Sequence, residues 1–271
     1  MDKPVPRFWT WVGVGLVFAA LLAFVLLTPA PLLRKLDYIG AAVCHRLPGH
    51  SFFVAGRQLP LCHRCTGTFT GALTGLLFQW LVLRRRRAQR FPSWPILAVL
   101  AGLAALWGLD GFNSWLTLQS GRAIGGLGYA PQPWLRLLTG TFMGMSMSVV
   151  LVAAFNQTFW RDGVPEPNLR GWRDFAALLV VELAQAGLIL WQPAWLLYPL
   201  SLYSIAGVVA MFVLLGSMVW VMALARDQRY TSWRQLALPL MWGGVFAALI
   251  IGSMDGIRLF LTSTIDGVPG L

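Results

Sequence analysis

Charge is the scarcest commodity in this chain. Only 11% of its 271 residues are charged, against about a quarter in a soluble domain, and 57% are hydrophobic, with a mean hydropathy of +0.66. These values exclude an ordinary soluble globule and point to an all-α, polytopic integral membrane bundle in the lipid bilayer. Polar connections are equally sparse. The longest are 28–60 and 114–134, and the glycines and prolines of the second (Gly121, Gly125, Gly126, Gly128, Pro131, Pro133) indicate ordered turns. No soluble unit is expected, and 1–271 reads as one transmembrane domain. Cysteine and histidine are also rare, at three each, and all six lie between positions 44 and 65. A chain that confines its thiols and imidazoles to one window places its chemistry there.

Seven apolar runs approach the roughly 20 residues needed to cross about 30 Å of hydrocarbon: 8–27, 61–83, 94–113, 135–158, 174–191, 195–225 and 236–261. The first reads as an uncleaved span, with a signal peptide ending near Thr28-Pro29-Ala30 as the competing reading. Tryptophans 9, 80, 94, 115, 134, 160, 191, 195 and 233 fall near predicted ends, as in an interfacial belt. Lys3, Arg7, Arg84, Arg85, Arg86, Arg87, Arg90, Arg161, Arg170, Arg173, Arg226, Arg229 and Arg234 fall on one side, thirteen of the twenty-one basic residues. By the positive-inside rule that side is cytoplasmic. The amino terminus is then inside, and the cysteine loop faces the extracytoplasmic space of a prokaryotic inner or plasma membrane. The arginine run and the net charge of +11 are explained by topogenesis, without nucleic acid as a partner.

A short internal echo is present. Thr66-Gly67-Thr68-Phe69-Thr70-Gly71 in the second run returns as Thr139-Gly140-Thr141-Phe142-Met143-Gly144 in the fourth. Small residues every four positions allow close backbone approach, so helix packing is the plainest reading. A similar Asp-Gly pair stands at 110–111 and at 255–256.

The cysteine window admits three readings. One is structural: a disulfide and a free thiol. The second is a metal site, in which Cys62 and Cys65 ligate one ion from a helix start, where free backbone N–H groups and the helix dipole favour thiolates. Cys44, with His45 or His63, would complete a Cys3His set suited to zinc. The third is a quinone-linked thiol oxidoreductase cycling Cys62 and Cys65 between dithiol and disulfide, with Cys44 as the shuttling thiol. Three cysteines cannot make the two pairs such enzymes generally carry.

Other polar residues are expected at the same end. Asp110 and Asn113 close the third run and Arg136 opens the fourth; Asp255 and Arg258 stand one helical turn apart in the seventh. Ionisable groups at membrane depth are functional candidates by default. The structural alternatives are that Asp255 pairs with Arg258 and that Asp110 neutralises Arg136. Glu182, with Gln185 a turn later, is the sole carboxylate near mid-bilayer, either a neutral hydrogen-bonded acid or part of a proton relay.

Together the strings Cys-His-Arg-x-Pro-x-x-Ser-Phe (44–52), Gly-Arg-Gln-x-Pro-Leu-Cys-x-Arg-Cys-Thr-Gly (56–67), Asp-Gly (110–111) and Leu-Arg-x-x-Thr-Gly-x-x-x-Gly (135–144) resemble an uncharacterised prokaryotic multi-pass membrane family, domain-of-unknown-function family 2085. The resemblance covers about 44–144 and implies that Cys44, His45, Cys62, Cys65, Asp110 and Arg136 act as one ensemble. His50 and His63 stand where members often carry Arg and Ala, which discounts both as ligands. The spans after 145 lie outside these motifs. The expectation is therefore an extracytoplasmic Cys44/His45/Cys62/Cys65 site for a transition metal such as zinc, supported by Asp110, Arg136, Asp255 and Arg258, with no reaction assigned. A quinone-linked oxidoreductase is one alternative; another is a non-catalytic subunit that docks on a larger membrane complex or on its own copies.

Overall fold

The computed structural model describes residues 7–29, 31–120 and 127–267. Lys3, Ala30, Gly121, Gly125 and Gly126, used in the sequence reading, lie outside the described residues. Eight helices run in chain order: α1 (Arg7–Leu27), α2 (Leu32–Val43), α3 (His63–Leu77), α4 (Trp94–Ser120), α5 (Pro133–Phe159), α6 (Trp172–Trp191), α7 (Leu197–Ala223) and α8 (Ala237–Thr262). A hairpin, β1 (Ser51–Val54) and β2 (Arg57–Cys62), precedes α3, and a parallel pair, β3 (Ala88–Arg90) and β4 (Val164–Pro167), joins two loops at the opposite end.

Among the described residues, six helices are long and apolar enough to cross a membrane: α1 from Phe8, α4, α5, α6, α7 with its 3-10 lead-in, and α8 with its own. The 61–83 run departs from its expected form. Its first residues finish β2, α3 starts only at His63, and the helix widens into a π-helical turn at Phe78–Val82. The third run is longer than expected, because α4 continues to Ser120 and so carries Asp110 inside a helix.

The 28–60 connection is also more than turns. Leu33, Leu36, Asp37, Gly40 and Ala41 form the buried stripe of the short amphipathic helix α2, at the spacing that faces one side of a helix. Ala55 (φ 50°) and Gly56 (φ 75°) then supply two successive left-handed residues, the backbone of the tight two-residue hairpin turn.

At the centre lies the seam between α3 and α5, built from the repeated Thr-Gly-Thr-Phe strings. A Cβ on Gly67 would strike the Leu137 carbonyl and crowd Thr141, and one on Gly140 would strike the Arg64 carbonyl and crowd Thr68. The contacts are reciprocal and the two helices run parallel, so the two copies of the string clasp each other. With no hydrophobic force to join helices in lipid, such close backbone approach is the source of adhesion. α4 and α6 flank α5, α7 and α8 pack together on the other side of α3, and α1 leans on α8.

The basic segments converge at one end. β3 pairs with β4, and Trp160 bridges to Tyr230, which joins the loops after α3, α5 and α7. The arginine run is partly woven into this end: Arg85 reaches Glu166 and Asp174, and Arg87 reaches Asp162 and lies 5.0 Å over the Trp160 ring. Trp160 is fully buried and packs with Trp233, so it departs from the interfacial belt, whereas Trp94, Trp134 and Trp191 are exposed.

Candidate functional site

The cysteine end is assembled from four pieces: the C-terminus of α2, the hairpin, the first turn of α3 and the last turns of α8. Cys44 ends α2, and Cys62 ends β2 and precedes α3. Pairing of Ser51 with Cys62 in the hairpin brings the second cysteine back to the first, with the Cys62 N–H donating to Cys44 Sγ at 3.2 Å. The Arg46 N–H approaches the same sulfur at 3.5 Å. Ligand atoms of Cys44, His45 and Cys62 all lie within 4.8 Å of one another. Cys65, one turn into α3, packs against Cys44 and Cys62. All three thiols are free, with Cys44 and Cys62 buried and Cys65 half-buried.

The three sulfurs share protons unequally. The hydrogen bond to Cys62, and burial after it, push the Cys44 thiol up to about 12. The bonds from Cys44 and Cys65 hold Cys62 well below the ordinary thiol range. Cys62, at a helix start and beside two S–H donors, is thus the most readily deprotonated of the three thiols. Any ion that bound here would displace those protons, since thiolates are the ligating form.

The backbone of the Cys44-His45 turn is pinned from three directions. Arg46 adopts the left-handed conformation at φ 51°, costly for a non-glycine residue and kept only where the surroundings enforce it. Its buried side chain lies 2.9 Å from Asp37 Oδ1, an ion pair without hydrogen-bond alignment, and 3.1 Å from Asp266. Arg57 reaches the other Asp37 oxygen at 2.8 Å. From α8, Arg258 donates to the carbonyls of Ala41 (2.8 Å), Cys44 (2.5 Å), His45 (3.0 Å) and Gly267 (2.7 Å). A cation on the last carbonyls of α2 also complements the helix dipole. Gln58 Nε2 donates to the Arg46 carbonyl and to Ser51 Oγ, both at 3.0 Å, which fastens the hairpin to the turn.

The histidines separate in role. His45 is exposed, and its Nδ1 accepts the Leu47 N–H at 3.2 Å. His50 stands edge-on to His45, its Nε2 3.3 Å from an Arg136 nitrogen. Burial first, then Arg136, lowers its pKa to about 4. His63 is buried edge-on to Phe52, with centroids 4.2 Å apart.

The supporting charges gather here with different partners from those expected. Asp110 pairs with Arg64 rather than Arg136, and Tyr129 donates to its other oxygen at 3.0 Å. Ser114 Oγ receives both Arg64 (2.9 Å) and Arg136 (3.4 Å), so a hydroxyl bridges the two guanidiniums. The reason is register: the one-residue step from Cys65 to Arg64, about 100° around the helix, aims Arg64 at α4, while Arg136 turns toward His50. Asp255 does not bond Arg258 among the described residues; its Oδ1 is buried without a partner, because Arg258 is engaged by carbonyls. Asn113 clamps the loop before α5 through the Tyr129 carbonyl (3.1 Å) and the Leu127 N–H (3.0 Å).

Sequence reasoning left out Asp37, Arg46, Arg64 and Asp266. Arg46 and Arg64 stood inside the two cysteine strings, so the signal was present. Asp37 was detectable as a carboxylate on the apolar stripe of an amphipathic helix. Asp266, at the far end of the chain, carried no local signal.

This arrangement of two cysteine strings on a hairpin, with a glycine seam behind them, is the region the comparisons pick out. Residues 44–150 match the family described as Predicted membrane protein (DUF2085). The match takes in the hairpin, α3, α4 and most of α5, and leaves α1, α2 and α6–α8 outside. An uncharacterized protein of Methanocaldococcus jannaschii is 23% identical over 119 residues, 44% of this chain and 67% of that protein. One of Methanothermobacter thermautotrophicus is 28% identical over 108 residues, 40% of this chain and 83% of that protein. No solved structure matches.

Proposed function

We propose that this membrane protein holds a transition metal, zinc by donor type, at Cys44, Cys62 and Cys65 with His45, on the extracytoplasmic face of a prokaryotic cell membrane. The observation that carries the reading is the convergence of Cys44, His45 and Cys62 ligand atoms within 4.8 Å, from two segments that a buried ion-pair network fixes in place. Thiolate and imidazole donors in fours suit zinc. Cys65, which packs beside Cys44 and Cys62 but lies outside that 4.8 Å group, would supply the fourth donor. His45 enters only by releasing the Leu47 N–H from Nδ1 or by ligating through its other nitrogen, so the three sulfurs are the core of the set. Backbone N–H donors on Cys44 Sγ and the Arg258 clamp on the flanking carbonyls would orient those ligands as outer groups do in metal sites.

Metal analysis of purified protein beside a thiol count tests this. One metal per chain is expected, lost on replacing Cys62 and Cys65 by serine, retained on replacing His50, and falling on acidification. Absence of metal, together with a Cys62–Cys65 disulfide that a quinone re-forms after reduction, would replace this reading with the oxidoreductase. That second reading draws on one observation, the packing of three free thiols at Cys44, Cys62 and Cys65, a neighbourhood suited to thiol–disulfide exchange. Orientation is tested by a periplasm-active reporter, expected to work near Gly49 and to fail after Arg87.

A further inference from the structure

A second buried polar group lies away from the cysteines. Glu182 of α6 is fully buried, and neither of its carboxyl oxygens has a hydrogen-bond partner among the described residues. It faces the α3–α5 seam: a Cβ on Gly71 would lie 3.2 Å from one of its oxygens, and a Cβ on Gly75 3.4 Å from the other. Two glycines therefore make the room that a carboxyl in the middle of the bundle fills.

The surroundings select the form of that carboxyl. α3 contributes Thr74, α5 contributes Thr141 and Ser148, and α6 itself contributes Gln185. α7 contributes Tyr203, whose hydroxyl is 2.7 Å from Thr74 Oγ1 and which is the titratable neighbour. No charged group acts on Glu182, and it makes no ion pair among the described residues. An ionised carboxylate without a counter-charge at membrane depth costs several kcal/mol. A proton removes that cost and needs almost no room.

Toward the arginine end the buried polar side chains are bonded to one another from helix to loop, whereas toward the cysteine end Thr70 and Thr141 bond only the carbonyls of their own helices. Ser148 Oγ, on the far side of Gly75, receives Gln79 Nε2 at 3.3 Å, and Gln79 Oε1 receives Asn168 Nδ2 at 2.8 Å. Asn168 sits after β4 at the arginine end, its N–H on the Arg90 carbonyl at 3.1 Å. All three side chains are fully buried. Toward the cysteine end the seam is shut by the backbone contacts of Gly67 and Gly140.

We propose that Glu182 is an exchangeable proton-binding site at membrane depth, reached by water from the arginine end past the polar side chains of Asn168, Gln79 and Ser148. Binding forms an O–H bond on one Glu182 oxygen with a proton taken from water at that end; release reverses it, and no electrons move. The site is independent of the thiol cluster.

Infrared spectroscopy of the full chain reconstituted in lipid tests it. A protonated carboxyl band is expected that disappears in Glu182→Gln, shifts when the sample is moved to D2O, and exchanges more slowly in Gln79→Leu. A carbodiimide, which attacks protonated carboxyls in apolar surroundings, should modify Glu182 of the unaltered protein, read by mass spectrometry. This measurement stands even if a variant fails to fold. Absence of both the band and the adduct would overturn the site. A band unmoved by D2O would show a sealed structural acid, and unchanged exchange in Gln79→Leu would overturn the route.

Discussion

Both ends of the bundle are rich in arginine, yet they use it in opposite ways. At the cysteine end Arg46 is 3% exposed beside an Asp37 that is 2% exposed, and Arg258 is engaged by four carbonyls. At the other end Arg87 and Asp162 are 35% and 47% exposed, and Arg170 and Glu166 59% and 43%. An exposed pair contributes about 0–1 kcal/mol, whereas breaking a buried one costs about 3–5 kcal/mol. The exposed arginines can thus serve the orientation of the chain and fasten loops lightly. The buried ones fix particular backbone atoms, and those atoms carry the thiols.

The sharpest test of this contrast is Asp37→Ala, which takes away the buried partner of Arg46 and leaves it only the half-exposed Asp266. It should lower stability by about 3–5 kcal/mol in thermal unfolding of the detergent-solubilised protein, and should expose Cys44 to thiol reagents. A loss no larger than that of an exposed pair would erase the distinction between the two ends.

The seam between them supplies the next largest effect. Gly67→Ala and Gly140→Ala should each cost about 1–3 kcal/mol by overpacking. The two should be similar in size, because each glycine meets the same part of the other's repeat, and non-additive in the double variant. Markedly unequal losses would break the reciprocity.

Arg258→Gln should weaken metal affinity about 10–100-fold, measured by competition with a chromogenic chelator, if the clamp on the Cys44 and His45 carbonyls orients the ligands. An unchanged affinity would reduce Arg258 to a helix cap.

His50 gives the cysteine end a pH response. Its folded pKa of about 4 lies below the ordinary value of about 6.5, so between those values the unfolded chain binds more protons. Stability is therefore complete above pH about 6.5 and falls as the pH drops through that window. The melting temperature should decline from pH 7 to 5, and less steeply in His50→Phe. An unaltered slope would assign the response to another group.

The smallest effect belongs to the arginine end. Arg87→Ala should change stability by about 0–1 kcal/mol, with the difference shrinking at high salt. A salt-insensitive loss would mean that its stacking over Trp160 outweighs its charge.

Much of this was legible in the order of residues. Span limits for α5, α6, α7 and α8 follow hydropathy within a few residues, since lipid rewards uninterrupted apolar length whatever the neighbours. The thiol cluster was legible because its three cysteines are close in sequence, and the glycine echo because adhesion in lipid needs small residues at a fixed spacing. The cysteine loop was less so. The sequence showed only a long connection where α2 and the hairpin stand, because a 12-residue amphipathic helix and two short strands produce no long apolar run.

Polarity and length, read one segment at a time, determined that this is a membrane bundle with its thiols and imidazoles gathered in one window. Partner choice was decided only in three dimensions. Asp110 takes Arg64 and leaves Arg136 to His50 and Ser114, Arg258 binds carbonyls instead of Asp255, and Asp266 returns from the far end of the chain to hold Arg46. An ion pair depends on distance and direction between side chains on different elements, and these are set by how α3 docks on α5 at their glycines and how α8 docks on α2 and α7, which no single segment encodes.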